Sequence, residues 1–387
     1  MTVDTDRLKD SFAEVARNGD EVPLFFYSYL FLRHPSTRAM FPPSMAAQRD
    51  RLVSALAGIV ANVDQLATVV PFVEQLGRDH RKFDVAPEHY PAVGEALIAT
   101  LRHFLGDRWT SELATDWAAA FAIVSDVMIK AADDAEGSTP ARWHGQIVEH
   151  DRRRPDVAVI RVAPEIPVPY LAGQSLSVHT AHRPRLWRFY SPANAPRADG
   201  GIELHVKAVD GGWVSSALVA VAGVGDILEF GSPVGALHLE PHSDADLLMI
   251  AGGTGLAPLT AIAEDALTRD AVPRRVHLFH EAASEADLYD TAHLDWLADR
   301  HPEFQVTLVA RNGAVRRAVP GTAVDAALRQ SRWAGHDVYV CGSEEMTVTT
   351  MDTLLRAGLD PRRLHTESFG YRTGADSMHA ASGGSPR

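Results

Sequence analysis

Three short segments of this 387-residue chain have the residue types that hold a diphosphate. Residues 250–258 (IAGGTGLAP) follow an apolar run and open a helical one, and the free N–H groups of such a glycine-rich turn bind phosphate oxygens. Residues 188–191 (RFYS) and 211–216 (GGWVSS) supply a guanidinium, hydroxyls and glycines. A dianion requires a guanidinium and converging N–H groups. Each segment alone also fits an ordinary turn, so the prediction depends on their occurring together and in order.

These segments lie in the last two of three zones that differ in apolar periodicity. Residues 1 to about 135 have apolar stripes at helical spacing, such as Leu52, Leu56 and Ile59, and no convincing strand. From Trp143, short β-rich runs are separated by Gly, Pro and Asp turns, as in a small antiparallel barrel. Beyond Asp244, buried-type strands alternate with helical segments, which predicts a parallel sheet with helices on both faces.

The fold class predicted is therefore multidomain: an all-α domain, an antiparallel β-barrel, and a doubly wound α/β domain. We expect these domains at residues 1–135, 136–242 and 243–370, with a polar linker at Ala131–Pro140 and a disordered tail at residues 371–387. The expected strands are Gly145–Glu149, Val157–Val162, Ser175–His179, Ile202–Val209, Asp226–Phe230, Leu247–Ala251, Val276–His280, Gln305–Ala310 and Val338–Cys341, and the expected C-terminal helices are Leu259–Leu267, Thr322–Gln330 and Thr347–Ala357.

Composition excludes several classes of protein. A net charge of −13 argues against nucleic acid as a partner. The single cysteine, Cys341, excludes an internal disulfide and an iron–sulfur cluster on four cysteines. No apolar run approaches the length of a membrane helix, and the N-terminus does not have the pattern of a signal peptide. We expect a cytoplasmic monomer whose partners are small molecules.

The motifs of the second zone resemble the FAD-binding signatures of the ferredoxin–NADP reductase superfamily. In that resemblance Arg188 pairs with the FAD diphosphate, Tyr190 packs against the isoalloxazine, and Ser191 hydrogen-bonds near its N5. Residues 214–216 would donate to the diphosphate, and Gly173-Gln174 resembles the strand that borders the flavin ring. The FAD residues implied are Gly173, Gln174, Arg188, Phe189, Tyr190, Ser191, Val214, Ser215, Ser216, Glu367 and Phe369, of which Phe369 would cover the flavin until the nicotinamide displaces it.

The third zone resembles the nicotinamide-nucleotide half of the same superfamily. Residues 338–342 (VYVCG) are similar to the segment that places Cys-Gly near the nicotinamide, although Ser343 stands where the family usually has proline. Cys341 is equally compatible with an inert buried thiol. The NAD(P)H residues implied are Gly252, Gly253, Thr254, Gly255, Leu256, Ala257, Pro258, Cys341 and Gly342.

The choice between NADH and NADPH depends on charges near the adenosine ribose. Arg311, Arg316 and Arg317 follow a predicted strand and could meet a 2′-phosphate, but they also fit a solvated basic loop. Residues 280–285 (HEAASE) are acidic, which favours NADH.

The spacing in the helical zone resembles the haem pocket of flavohaemoglobins. Pro35 lies six residues before Phe41, and Gln48 heads the helix that bears Leu52. Tyr90 follows His80 by ten residues. A single histidine among 18 would rarely be a haem ligand, so the joint spacing carries this resemblance. It implies haem b with His80 as the proximal iron ligand, Tyr27 and Gln48 as distal donors to bound O2, Tyr90 as a further catalytic residue, and Phe41 and Leu52 shaping the pocket.

Two positions depart from the family's pattern. Ala132 stands where the family has a glutamate that hydrogen-bonds the proximal histidine, and Asp133 or Asp134 could replace it only with a shift of helical register. Asp79 stands where the family tends to have a lysine near a haem propionate, and its charge would repel that group.

The resemblance covers residues 1 to about 370 and implies a nitric oxide dioxygenase. NAD(P)H would reduce FAD, FAD would reduce haem iron one electron at a time, and the ferrous-oxy haem would convert nitric oxide to nitrate. Two alternatives stay open: a flavin reductase with a degenerate globin, and a gas sensor whose iron the reductase only resets. Haem loading separates the first from the dioxygenase, and nitric oxide turnover separates the second.

Overall fold

The computed structural model describes residues 3–268 and 274–369, apart from the side chains of Ser368 and Phe369. The described chain folds into two compact units, residues 3–142 and residues 143–369. The tail expected at residues 371–387 lies outside the described residues. In the described part, no helix is both long enough and apolar enough to cross a membrane.

The first unit is helical throughout its described residues, as predicted. Its helices are α1 (Thr5–Ala16), α2 (Glu21–Arg33), α3 (Ala46–Ala61), α4 (Leu66–His80), α5 (Tyr90–Leu105) and α6 (Ser111–Glu136). Thr110 caps α6 by accepting a hydrogen bond from Leu113 N at 3.2 Å. Pro23 and Pro91 lie in the first turns of α2 and α5, where a missing N–H leaves no helical bond unmade.

Helices α4 and α6 cross closely at Gly77. A Cβ atom at Gly77 would lie 2.4 Å from Met128 O, so any larger residue would force the helices apart. Phe72 and Val73 bury their side chains with Met128 beside this crossing. Burial on both sides of the crossing fixes the carboxyl end of α4, which carries His80.

Helix α6 runs to Glu136, so the linker predicted at Ala131–Pro140 is wrong for its first six residues. Ala131 and Ala135 are buried and continue the stripe that includes Met128. Asp133, between them, is exposed. The polar composition indicated a linker, but small buried residues at helical spacing keep this segment in the helix.

The second unit begins with a six-stranded antiparallel sheet in the order β4-β3-β6-β1-β2-β5. The strands are β1 (Trp143–Arg154), β2 (Val157–Pro164), β3 (Leu176–Thr180), β4 (Trp187–Tyr190), β5 (Ile202–Lys207) and β6 (Ile227–Phe230), with α7 (Trp213–Ala220) between the last two. An antiparallel bridge between Pro192 and Leu204 joins the two edges, so the sheet nearly closes. Ile147, Ile160 and Phe230 fill its interior. The predicted antiparallel barrel is confirmed.

A six-stranded parallel sheet follows, in the order β10-β9-β8-β7-β11-β12. Its elements are β7 (Leu247–Gly252), α8 (Leu256–Thr268), β8 (Val276–Ala282), α9 (Thr291–Arg300), β9 (Phe304–Ala310), β10 (Val319–Pro320), α10 (Ala323–Gln330), β11 (Asp337–Ser343), α11 (Glu344–Arg356) and β12 (Leu364–Phe369). Along β7, Leu247 and Met249 face a core shared with α8 and α9. Leu248 and Ile250 face a second core shared with α10 and α11. This alternation puts helices on both faces and confirms the doubly wound fold.

Candidate functional site

His80 is the last residue of α4, and the backbone of that helix holds its ring. Nδ1 lies 2.7 Å from Leu76 O and therefore carries the proton that it donates. Among the described residues, Nε2 makes no hydrogen bond. Burial lowers the pKa of His80, which favours the neutral ring. A neutral imidazole with one nitrogen anchored is the form that binds a metal ion through the other.

Tyr27 on α2 is buried, and its hydroxyl donates to Gln48 O at 3.4 Å. The ring of Phe41 lies edge-on to Tyr27, with the two centroids 5.5 Å apart. Burial raises the pKa of Tyr27 to about 12, so the hydroxyl keeps its proton at neutral pH. The structure thus brings together Tyr27, Phe41 and Gln48, which the resemblance in sequence assigned to one pocket.

Leu52 lies one turn beyond Gln48 on α3 and packs against the main helical core. It also lines an apolar cavity of about 260 Å³ that extends to Phe12 on α1, Phe26 on α2 and Leu97 on α5. Apolar side chains from four helices therefore converge at this residue.

Asp79 does not stand alone as a negative charge. The Lys82 ammonium lies 2.5 Å from its carboxylate, and the lysine is only 3% exposed. This pair offsets the charge that the sequence suggested would repel a haem propionate. Arg51, half-buried on α3, acts electrostatically on both Tyr27 and Lys82. Its positive charge opposes the larger rise that burial gives the pKa of Tyr27, and it adds to the fall that burial gives the pKa of Lys82. Sequence reasoning missed Lys82 and Arg51.

Tyr90 begins α5 and is half-buried. Burial raises the pKa of its hydroxyl, and the negative charge of Asp133 raises it further. Asp134 instead forms an exposed ion pair with Lys130 at 2.5 Å. Of the two acidic residues that could replace the absent glutamate at Ala132, Asp133 is thus the one whose charge reaches the Tyr90 side chain. The hydrogen-bond partner of His80 remains a backbone carbonyl.

In the second unit, α7 presents the amino-terminal end predicted to receive a diphosphate. Gly212 precedes it, and a Cβ there would lie 2.5 Å from Ser215 Oγ and from Val209 Cγ2. The Ser215 hydroxyl donates to Gly212 O at 3.0 Å, and its backbone N–H belongs to the first turn of α7, where N–H groups have no partner within the helix. Val214 is buried and Ser216 is half-buried.

The RFYS segment spans the end of β4 and the residue after it. Arg188, Phe189 and Tyr190 are half-buried. The Arg188 guanidinium donates from Nη1 to Trp187 O at 2.8 Å. Burial raises the pKa of Tyr190 well above its ordinary value, so its hydroxyl stays protonated.

Ser175 links two of the residues assigned to the flavin site. Its hydroxyl lies 3.0 Å from Ser191 Oγ and donates to a carboxylate oxygen of Glu367 at 3.1 Å. Both serines are buried. The network joins the start of β3, the end of β4 and strand β12, which are distant in sequence. The side chain of Phe369 lies outside the described residues.

Gly173 is required by its conformation and by its surroundings. Its φ is +95°, and a Cβ would lie 2.1 Å from Leu237 O. The Gln174 side chain accepts from Leu171 N at 2.9 Å and donates to Gly235 O at 3.2 Å. Gln174 therefore shapes the turn that leads into β3.

The glycine-rich turn between β7 and α8 lies directly against β11. A Cβ at Gly255 would lie 2.2 Å from Cys341 O, and one at Gly342 would lie 3.3 Å from the Cα of Gly252. Gly253 has φ +53° and open space around its Cβ position. Leu256, Ala257 and Pro258 form the buried start of α8, and Thr254 is half-buried. Cys341 is fully buried. The two predicted nucleotide-binding segments thus meet at the carboxyl edge of the sheet.

Family models match each part of the chain in turn. A globin model matches residues 24–128, an oxidoreductase FAD-binding domain matches residues 145–239, and an oxidoreductase NAD-binding domain matches residues 249–352. Among curated relatives, the flavohemoprotein of Bacillus subtilis is 25% identical over 94% of this chain and 96% of its own. The flavohemoprotein of Bordetella parapertussis is 27% identical over 91% of this chain and 94% of its own.

One solved structure spans nearly the whole chain, and another matches part of it. The flavohemoglobin of Malassezia yamatoensis superposes with a TM-score of 0.78 over 95% of this chain and 98% of its own, at 17% identity, which shows the shared fold. The Amycolatopsis cytochrome P450 reductase is 30% identical, with a TM-score of 0.56 over 59% of this chain and 69% of its own.

Proposed function

The chain belongs to the flavohaemoprotein family, and from this premise we propose that it is an oxidoreductase that uses electrons from NAD(P)H to convert nitric oxide and O2 to nitrate. When bound, FAD exchanges two electrons with NAD(P)H and passes them on singly, and haem supplies an iron that takes them and binds O2. The observation that carries the proposal is an anchored, neutral imidazole at His80, in a chain that continues into two nucleotide-binding lobes.

On the haem side, the described residues fit the group. His80 offers Nε2 while Leu76 O holds Nδ1, so the ring keeps one tautomer. Phe41 and Leu52 supply apolar surface for a porphyrin face. Arg51 supplies a half-buried guanidinium for a propionate, and Lys82 offsets the adjacent Asp79.

On the distal side, Tyr27 and Gln48 would orient the diatomic ligands. A phenol with a pKa of about 12 stays protonated at neutral pH and donates to an oxygen that gains negative charge during the reaction. Burial of Tyr27 makes that donation stronger than it would be in water, since little solvent screens it. The backbone carbonyl of Gln48 accepts a hydrogen bond from this hydroxyl, and the side-chain amide of Gln48 would supply further donors.

The proximal partner sets this chain apart from the pattern of its family. A carbonyl partner leaves the His80 ring closer to a neutral imidazole than a carboxylate would. We therefore expect less electron donation to the iron than a carboxylate partner would give, and hence slower formation of nitrate, which requires the O–O bond to break.

On the flavin side, the residues present also fit. The N–H groups at the start of α7 and the Arg188 guanidinium would hold the diphosphate. The absence of a side chain at Gly173 lets the backbone that would border the flavin ring pack closely against Leu237 O. The hydroxyls of Ser191 and Ser175 and the Glu367 carboxylate would position the reacting ring edge and exchange protons there.

For the nicotinamide nucleotide, we propose the turn at residues 252–258 as the diphosphate site. Its glycines bring backbone N–H groups to the surface of the sheet edge, and α8 begins immediately beyond. Cys341 and Gly342 would then border the nicotinamide, because they pack against the same turn.

The test is the visible spectrum of the purified protein during anaerobic addition of NADH, followed by carbon monoxide. We expect the flavin bands to bleach first and the Soret band to shift afterwards, and we expect nitrate to form when nitric oxide and air are supplied. His80→Ala should lose the Soret band and keep flavin bleaching. A protein that bleaches flavin but takes up no supplied haem would be a flavin reductase, and full haem without nitrate formation would contradict the dioxygenase. The relatives, which are flavohemoproteins along nearly the whole chain, do not favour the flavin-reductase alternative.

A further inference from the structure

The place where an adenosine ribose would lie follows from the order of the strands. Strand β7 ends in the glycine-rich turn, and its neighbours β8 and β9 end at Ala282 and Ala310. In doubly wound sheets the diphosphate lies on the glycine-rich turn, and the ribose 2′ position is read beyond the carboxyl end of the adjacent strand. Arg311 N donates to Ala282 O at 3.1 Å, which holds the loop after β9 against the end of β8. The loop at residues 311–318 and the segment at residues 281–285 therefore flank this 2′ position.

Consecutive backbone amides in that loop converge on one carboxylate. Arg316 N donates to Glu285 Oε2 at 2.6 Å, and Arg317 N donates to Glu285 Oε1 at 3.1 Å. These two amides and that of Ala318 lower the pKa of Glu285, so the carboxylate is ionised at neutral pH. Successive N–H groups that converge in this way form an anion-binding concavity. Here the anion comes from the protein itself.

Two of the three neighbouring arginines also pair with carboxylates through their side chains. Arg311 Nε lies 3.3 Å from a carboxylate oxygen of Glu281, which is itself buried. Arg317 Nη1 donates to Asp295 Oδ2 at 2.9 Å. Arg316 adds to the positive charge around Glu285. A phosphate entering this loop would have to displace protein carboxylates that already hold the donors it needs.

We propose that Glu285 makes this chain select NADH over NADPH by occupying the amide site that a ribose 2′-phosphate would require. A 2′-phosphate brings close to two negative charges, and it would find the donors occupied and a carboxylate beside it. A 2′-hydroxyl has no net charge and meets neither obstacle. The inference rests on the proposed use of a nicotinamide nucleotide, and it identifies the residue that sets the choice of nucleotide.

The kinetic test compares NADH and NADPH as reductants of the full-length flavoprotein, with ferricyanide as the electron acceptor. Glu285→Gln keeps the size of the side chain and removes its charge. We expect kcat/KM for NADPH to rise about tenfold, which is about 1.4 kcal/mol, while the value for NADH stays within about twofold. The matched control is Asp299→Asn, which removes an exposed carboxylate of α9 that holds none of the donors named above and leaves both the amide site and the Arg317 ion pair intact. It should leave the ratio of the two kcat/KM values within about twofold of the wild-type ratio.

A binding measurement checks the same idea without turnover. Calorimetric titration with 5′-AMP and 2′,5′-ADP should show that the wild type binds 5′-AMP more tightly and that Glu285→Gln reverses or removes the difference. A wild type that binds 2′,5′-ADP more tightly, or a variant whose nucleotide ratio is unchanged, would overturn the inference. If Glu285→Gln does not fold, Glu285→Ser opens the same amides, and the wild-type titration alone still decides the preference. A wild type that binds 5′-AMP but reduces no flavin would count against the proposed function and not against this selectivity.

Discussion

Replacing Gly255 with alanine tests how closely the nucleotide turn and strand β11 fit together. The added Cβ would lie 2.2 Å from Cys341 O, 2.5 Å from Cys341 C and 2.8 Å from Gly342 N. Optimal contacts between non-bonded heavy atoms lie at about 3.5–4.0 Å, so the turn or the strand must move by about 1 Å. Every clashing atom belongs to the backbone, so no side-chain rotation relieves the clash.

The cost of that movement is set by the position of β11 in the sheet. The strand pairs with β7 on one side and with β12 on the other, so it cannot shift without straining hydrogen bonds on both sides. Overpacking usually costs about 1–3 kcal/mol, and we expect Gly255→Ala to reach about 3 kcal/mol. Gly253→Ala is the matched control in the same turn. It has open space but φ +53°, and left-handed backbone costs a non-glycine residue about 1–2 kcal/mol.

Two measurements decide the outcome. Urea unfolding followed by flavin fluorescence gives the loss of stability, and anaerobic bleaching by NADH gives the rate of flavin reduction. We expect Gly255→Ala to unfold at a clearly lower urea concentration than Gly253→Ala and to reduce flavin at least about tenfold more slowly than wild type. The close packing would be refuted if Gly255→Ala unfolded within about 0.5 kcal/mol of wild type and bleached its flavin at the normal rate.

Substitutions at Ser175, His280 and Ala132 test a hydrogen-bonded link, a buried histidine and the proximal side of the candidate haem site. Ser175→Ala removes the hydroxyl that links Ser191 to Glu367, and it should slow flavin reduction about fivefold, which corresponds to about 1 kcal/mol. FAD binding, measured by fluorescence titration, should change little. Ser175→Thr keeps a hydroxyl and should restore the rate. Burial lowers the pKa of His280 to about 4, below its ordinary value of 6.5, so the unfolded chain binds more protons and stability is lost as pH falls. Between pH 7.5 and pH 5, the free energy of unfolding measured in urea should therefore fall by about 2 kcal/mol more in wild type than in His280→Gln. An equal fall in the two proteins would contradict the lowered pKa of His280. Ala132→Glu adds a carboxylate on the proximal side, and resonance Raman spectra of the reduced protein should show a higher iron–histidine frequency than in wild type; an unchanged frequency would mean that the new carboxylate does not reach His80.

The pattern of apolar residues predicts the strongly buried strands and helices. It does not predict elements that bury few residues or mix polar with apolar ones. The parallel strands β7, β8, β9 and β11 are nearly continuous apolar runs, and each was predicted to within a few residues. Strand β12 was missed because its sequence, LHTESF, is half polar and lies at the edge of the sheet. Helix α9 was missed because only Leu294 and Leu297 bury in its ten residues.

The candidate site likewise contains some residues that lie near one another in the sequence and others that only the fold brings together. Spacing along the chain could group Tyr27, Phe41 and Gln48, since two neighbouring helices and the turn between them carry all three. No local pattern marks Ser175, whose partners lie 16 and 192 residues away. Glu285 was noticed as part of an acidic segment, but its contact with amides 31 and 32 residues later depends on how the loop after β9 folds back.

The carboxyl end of α4, at Asp79 and His80, shows why the charge of a residue has to be considered together with its neighbours. Taken by type alone, Asp79 beside His80 suggested repulsion of a propionate and weakened the case for a haem pocket. Lys82 lies three residues further along the chain, within reach of that carboxylate, and its burial makes an uncompensated ammonium costly. Burial lowers the pKa of Lys82, while Asp79 raises it again, so the aspartate acts first as the partner that the buried lysine requires. Asp79 and Lys82 therefore form an ion pair beside His80 whose charges offset each other, and Asp79 by itself does not count against a haem pocket.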